Sequence, residues 1–122
     1  MTMRPWLFAS ALSSAQVFSA SFSFDEAHRR ADAQPHDAAY AYEDKWDAVN
    51  NSNHLDEKDG CYDQLSSGVT QQVLVLDKTG LVTEVIADVD NAKSQCFRKS
   101  YLHFQFPAPP FAPFYMYLKM GQ

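Results

Sequence analysis

Two stretches in the second half of the chain alternate their side chains with a period of two. Residues 69–77 combine valines and leucines with polar residues, and residues 114–120 set Phe, Met and Leu opposite Tyr and Lys. This alternation, with a high β-branched or aromatic content, predicts strands. Another strand is predicted at residues 81–89, because the connection before it is short and ends in Gly80, as is typical of a hairpin.

Three further segments have the composition or spacing of helices: residues 24–33, 37–49 and 92–104. Pro35 separates the first two, and Asp37 is a plausible N-cap for the second. In the second segment, one helical face carries the apolar stripe of Tyr42, Trp46 and Val49. In the third, one face carries Cys96, Phe97, Ser100, Tyr101 and Phe104, and the basic residues Lys93, Arg98 and Lys99 lie off that face. Asp90 and Asn91 offer an N-cap for the third segment. The stripe of the second segment predicts a lid on the core.

Four prolines lie in residues 106–113, which link the last predicted helix to the last strand. Proline fits neither a helix interior nor a central strand, so this link is predicted to be stiff and extended. The predicted fold is therefore α+β. It contains a small antiparallel three-stranded sheet packed with one long helix, residues 92–104, and it is preceded by an acidic helical arm.

Charge is unevenly distributed along the 122 residues, whose net charge is -5 and whose pI is about 5.1. Residues 22–60 hold ten acidic side chains and four basic ones. This acidic balance argues against nucleic-acid binding, which needs a basic face.

The length allows one small domain. We predict a signal peptide at residues 1–21, the acidic arm at residues 22–59 and a compact domain at residues 60–122.

The N-terminal segment has the parts of a secretory signal. Arg4 is followed by an apolar stretch at residues 6–12 and then by small residues, with cleavage expected after Ala20 or Ser21. The apolar stretch is too short to span a bilayer. Export is the preferred reading, and the alternative is an amphipathic or disordered tail on a cytosolic protein.

The two cysteines, Cys61 and Cys96, are 35 residues apart. In an exported protein an isolated pair is most economically a disulfide, which would stabilise the fold by roughly 3 to 4 kcal/mol. A nucleophile or a metal pair is the alternative. A catalytic cysteine needs a partner histidine, and two thiols alone do not satisfy zinc.

Motifs that carry chemistry are missing from the sequence. It has no nucleophile elbow, phosphate loop or cofactor fingerprint. His28, His36 and His54 lack metal-ligand spacing, and the acidic loop at residues 56–59 lacks the ligand order of a calcium loop. We therefore predict a non-enzymatic protein with no catalytic residues, no metal and no cofactor.

Five short motifs occur in order in the second half of the chain. They are Cys61-Tyr62, Gly68-Val69, the Asp77 to Gly80 turn, Cys96 and the aromatic-Pro-x-Pro exit at residues 106–109. This order resembles the C-terminal domain of the TonB family, and more closely its cysteine-paired branch in gliding-motility and related periplasmic proteins. The resemblance covers roughly residues 60–120. The membrane anchor and long Pro-rich spacer of the family's energy transducers have no counterpart, so a free-standing, soluble domain is expected.

The resemblance implies a periplasmic protein that lends a sheet edge to an extended segment of a protein partner in the periplasm or outer membrane. If the last strand lies at an edge, Tyr115, Tyr117 and Lys119 are the predicted binding surface, with their side chains exposed. The alternative is that these aromatic residues complete the core. A second hypothesis is a structural role in which the acidic arm docks on the basic helix bearing Lys93, Arg98 and Lys99, in the same molecule or in a neighbouring one, to give a self-assembled homodimer.

Overall fold

The computed structural model describes residues 22–63 and 69–120, so the predicted signal peptide and Gly68 lie outside the described residues. The elements in chain order are α1 (Phe24–Asp32), α2 (His36–Asn53), a 3-10 turn (Cys61–Asp63), β1 (Thr70–Leu76), β2 (Val82–Ala87), α3 (Ala92–Tyr101) and β3 (Phe114–Met120). No helix within the described ranges is long and apolar enough to cross a membrane.

The three strands form one antiparallel sheet in the order β2-β1-β3, so that β1 is central and the other two strands are edges. The predicted α+β class and the predicted three-stranded sheet are therefore confirmed. β1 pairs with β3 along its whole length, from Thr70 opposite Met120 to Leu76 opposite Phe114.

The turn of the β1–β2 hairpin lies at Gly80, as predicted. The carboxylate of Asp77 accepts hydrogen bonds from the Thr79 hydroxyl and from the backbone N–H groups of Thr79 and Leu81, and these bonds lower the pKa of Asp77. Gly80 has φ 95°, in the region that favours glycine. A Cβ at Gly80 would also collide with the backbone carbonyl oxygens of Phe106 and Pro107, because the Pro-rich link passes directly beside the turn.

One face of the sheet is covered by α1. Ala27 is fully buried and packs with Val73, Ile86 and Tyr115. A small residue at the contact lets the helix approach the strands closely. At the start of the helix the Ser23 hydroxyl caps the Glu26 N–H.

The opposite face carries the larger core, under α2 and α3. Trp46 of α2 stacks on Phe106 and on Tyr101, with ring centroids 4.7 Å and 6.0 Å apart. Tyr42 lies edge-on to Phe114. The prediction that the stripe of α2 forms a lid on the core is therefore confirmed. The acidic segment thus contributes core side chains to both faces of the sheet, and the molecule has three layers: α1, the sheet, and α2 with α3.

The helix boundaries differ from the predicted ones. Pro35 is the N-cap of α2 and makes no side-chain hydrogen bond, so the prediction of Asp37 as the cap is wrong and Asp37 lies in the first turn. The helix continues for 18 residues to Asn53 and ends at His54, which has a positive φ of 53°. The longest helix is therefore α2, whereas the predicted long helix, α3, has 10 residues.

The third helix begins as predicted and ends earlier. Asn91 forms a capping box with Ser94. The helix ends at Tyr101, so Phe104 lies in the following turn. Lys93 was predicted to lie off the buried stripe, yet its side chain is buried at 7% exposure. Its long aliphatic stem makes such burial compatible with a charged end group.

Candidate binding edge of the sheet

The outer edge of β3 has no neighbouring strand within the described residues, because β3 ends the strand order β2-β1-β3. In an antiparallel pair, every second residue directs both its N–H and its C=O to the same neighbour. Tyr115 directs these groups away from β1, since both are bonded to the side chain of Gln34. By the same alternation, the N–H and C=O groups of Tyr117 and Lys119 also point outward.

Gln34 lies in the connection between α1 and α2. Its Nε2 donates to the carbonyl oxygen of Tyr115 at 2.9 Å, and its Oε1 accepts from the Tyr115 N–H at 2.7 Å. Nε2 is also 3.2 Å from the Ala31 carbonyl oxygen, which fixes the amide in place. One side chain thus satisfies the edge groups of Tyr115.

Further along β3 the edge is open. Within residues 22–63 and 69–120, no hydrogen bond satisfies the outward N–H and C=O groups of Tyr117 and Lys119. Unpaired edge groups of this kind are a template for an added strand. The edge therefore offers two consecutive bonding positions.

The other edge of the sheet is partly covered. The Val82 N–H donates to the Phe104 carbonyl oxygen, and the Val82 carbonyl oxygen accepts from the His103 N–H. The segment after α3 therefore occupies the start of β2. Further along that strand, the backbone N–H and C=O groups of Val85 and Ala87 also point away from β1.

The side chains predicted to form the binding surface have three different environments. Tyr115 is buried at 8% exposure, so the expectation that it is exposed is wrong, and for this residue the reading as core is correct. Tyr117 is half-buried: its ring stacks on His28 at 4.1 Å and its hydroxyl donates to Gln71 Oε1 at 2.6 Å. Lys119 is exposed. The cause is α1, which covers the sheet face that these three residues share.

A groove of about 210 Å³ runs beside the open edge. Its walls are the C-terminal end of α1, the first turns of α2 and the side chains of Tyr115 and Tyr117. The lining residues include Asp32, Glu43 and Tyr40, and Tyr40 is 61% exposed. Burial raises the pKa of Glu43, and the nearby carboxylates of Asp47 and Asp44 raise it further.

Cys61 and Cys96 form the predicted disulfide, with a sulfur–sulfur distance of 2.06 Å. The bond ties the 3-10 turn to the middle of α3. Cys61 is fully buried, and the neighbouring Ser100 hydroxyl donates to Asp59 Oδ2 at 2.7 Å. The disulfide and this hydrogen bond together hold the end of the acidic segment against α3.

The acidic segment packs on α3 through the Trp46–Tyr101 ring contact and is joined to it by hydrogen bonds. The Tyr101 hydroxyl, for example, donates to Asn50 Oδ1 at 2.8 Å. Arg98 and Lys99 are exposed, and within the described residues neither forms an ion pair with residues 22–60. The homodimer built on such ion pairs stays a prediction.

The described residues include no group of three or more His, Cys, Asp or Glu side chains placed to hold a metal ion. His28 is engaged with Tyr117 on one side of the molecule, whereas His54 ends α2.

No protein-family model, curated protein or solved structure matches the chain. The resemblance to the TonB C-terminal domain accordingly stays a prediction from the sequence motifs. What the structure defines is the α+β class and the arrangement of the sheet edge.

Proposed function

We propose that this chain is a non-enzymatic binding module that takes up an extended segment of a partner protein as a fourth strand beside β3. The observation that supports the proposal is the pair of outward backbone positions at Tyr117 and Lys119, for which residues 22–63 and 69–120 provide no hydrogen-bond partner, beside a groove that can take a side chain. In strand addition, main-chain hydrogen bonds provide affinity and pockets for alternate side chains provide selectivity.

The proposal includes a location in the periplasm, with the partner there or in the outer membrane. The Cys61–Cys96 disulfide supports an oxidising compartment, because such bonds persist outside the reducing cytosol. The N-terminal segment with the pattern of a secretory signal and the resemblance to TonB-type domains point the same way.

Lys119 provides the sharpest test of the edge. Its side chain is exposed and its N–H points away from β1, so Lys119→Pro removes an outward donor without breaking the ladder to β1. Lys119→Thr is the matched control, since it removes the same side chain and keeps the N–H. Wild type and both variants are immobilised and exposed to periplasmic extract of the native host, and captured proteins are identified by mass spectrometry.

Strand addition predicts a partner that wild type and Lys119→Thr capture and Lys119→Pro loses. Adding that partner to isotope-labelled protein should shift the amide signals of Tyr117 and Lys119. Equal capture by a folded Lys119→Pro variant would refute pairing at this edge, and so would shifts confined to another surface.

A further inference from the structure

A strand that pairs with the open edge of β3 would also contact the groove beside it. In a strand added to β3, the residue opposite Tyr117 shares the sheet face of the Tyr117 side chain. That is the face on which α1 lies, and the groove is bounded there by Tyr117 itself, by the end of α1 and by α2. One side chain of the added strand therefore lies over the groove.

The walls of the groove are acidic. Asp32 and Glu43 are both lining residues, and the Asp32 side chain is 76% exposed. Arg29 and Arg30 of α1 are both bound to Glu26 and are not lining residues, although Arg30 also interacts with Tyr115. The histidines near the carboxylates are His36, which lines the groove, and His28, whose Nε2 lies 3.9 Å from Asp32 Oδ2. A negatively charged side chain in the added strand would be repelled by these carboxylates, and a positively charged one would be attracted to them.

The groove also presents aromatic surface to an incoming cation. Tyr40 is exposed and stacks on His36, with ring centroids 5.7 Å apart, and Tyr117 also lines the groove. A guanidinium group can stack on such rings while its N–H groups bond a carboxylate. The ammonium group of lysine is attracted to the carboxylates in the same way but stacks less well on the rings than a guanidinium group does.

We infer that the partner segment is basic: it carries an arginine or lysine side chain that enters this groove and pairs with Asp32 and Glu43. The inference rests on the proposed strand addition and adds the chemistry of the segment that is bound. Arginine is the preferred residue because it satisfies both the carboxylates and the rings. Charge complementarity thus selects basic extended peptides over neutral and acidic ones of the same backbone propensity.

The test uses three blocked ten-residue peptides of alternating threonine and valine that differ at one central position, which holds Arg, Gln or Glu. Binding to the disulfide-bonded protein is followed by amide chemical shifts at low and high salt. The Arg peptide should bind at least about tenfold more tightly than the Glu peptide, and high salt should reduce that ratio. Shifts should appear at Tyr117, Lys119 and Tyr40.

Glu43→Gln should lower the Arg-to-Glu binding ratio severalfold, and the exposed Asp32→Asn serves as a second groove variant in case the first is unstable. Glu57→Gln is the matched control, because it removes the same charge from an exposed side chain outside the groove. It should leave the ratio unchanged. A ratio lowered equally by Glu57→Gln would assign the preference to net charge and overturn the groove assignment.

The two proposals fail in different ways. Equal binding of all three peptides with shifts at Tyr117 and Lys119 would overturn the basic preference and leave strand addition standing. Shifts at Tyr40 without shifts at the two edge amides would overturn strand addition. Absence of any shift with the Arg peptide would overturn both.

Discussion

The side chain of Gln34 makes with Tyr115 both hydrogen bonds that a neighbouring strand would make, although the two residues are 81 positions apart in the chain. A primary amide places an N–H donor beside a C=O acceptor, as a strand does at each outward residue, so it can end a sheet edge locally. The exposed edge of β3 therefore begins after Tyr115 and not at the start of the strand.

Removing this amide should lengthen the open edge from two positions to three. Gln34→Ala is expected to lower the free energy of unfolding by about 1–2 kcal/mol, because two net hydrogen bonds to β3 are lost. Exchange of the Tyr115 amide hydrogen should become faster, and the peptides described above should bind more tightly. Asn51→Ala, which removes an exposed amide from α2, is the control and should change neither quantity. Unchanged Tyr115 exchange in Gln34→Ala would contradict the assignment.

The two glycines with positive φ should respond differently to alanine. Gly80→Ala adds a Cβ that meets the carbonyl oxygens of Phe106 and Pro107, at φ 95°. Gly60 has φ 67° and open space where the Cβ would lie. Gly60→Ala should cost about 1 kcal/mol for the backbone conformation alone, and Gly80→Ala should cost at least about 2 kcal/mol. Chemical denaturation measures both, and equal losses would show that the Pro-rich link does not press on the turn.

The disulfide should contribute a large share of the stability. Replacing both Cys61 and Cys96 by serine is expected to lower the free energy of unfolding by roughly 3 to 4 kcal/mol, since the bond closes a loop of 35 residues. A reductant should destabilise the wild type to a similar extent and should have no further effect on the double variant. Reductant-insensitive wild-type stability would indicate that the bond is not formed in solution.

Alkaline pH should destabilise the protein through buried tyrosines. Burial raises the pKa of Tyr42 from 10.0 to about 12, and burial raises the pKa of Tyr101 as well. The unfolded chain then loses these protons first, so stability present below pH 10 falls as the pH rises towards 12. Tyr42→Phe should remove part of this fall.

At pH 7, Tyr42→Phe should cost about 1 kcal/mol, because the hydroxyl no longer donates to the Pro107 carbonyl oxygen. Tyr40→Phe, which removes an exposed hydroxyl, should leave the free energy of unfolding at pH 7 unchanged. Denaturation between pH 7 and 11 measures the slope. A Tyr42→Phe slope identical to that of wild type would contradict the burial of this hydroxyl.

The sheet and its hairpin could be predicted because local signals specify them. The alternation in β1 and β3, Gly80 in the turn and Asn91 as a cap each act within a few residues of their position. The disulfide followed from the presence of a single cysteine pair. These local patterns together predicted the α+β class.

The position of α1 could not be predicted, because its buried side is small. Ala27 is its fully buried residue, and alanine gives a weak hydrophobic signal even where it fills a close helix-to-sheet contact. When α1 is not placed over the sheet, the alternating pattern of β3 predicts that the side chains of Tyr115 and Tyr117 are exposed. The spacing of Phe24, Ala27 and Ala31 is the signal that could have indicated the covered face. Gln34 carries no such signal, because its role depends on a residue far along the chain.

The packing of the first third of the chain on β3 has a consequence for synthesis. The helices α1 and α2 are translated before any strand exists, and isolated helices of such lengths are marginal in water. The residues that the helices and their connection bind come much later in the chain. Pro107, which accepts from Tyr42 of α2, lies 65 residues further on, and Tyr115, which bonds Gln34 of the connection, lies 81 residues further on. Folding therefore waits until nearly the whole chain is out, and an N-terminal fragment released early would expose unburied aromatic rings to proteases and chaperones.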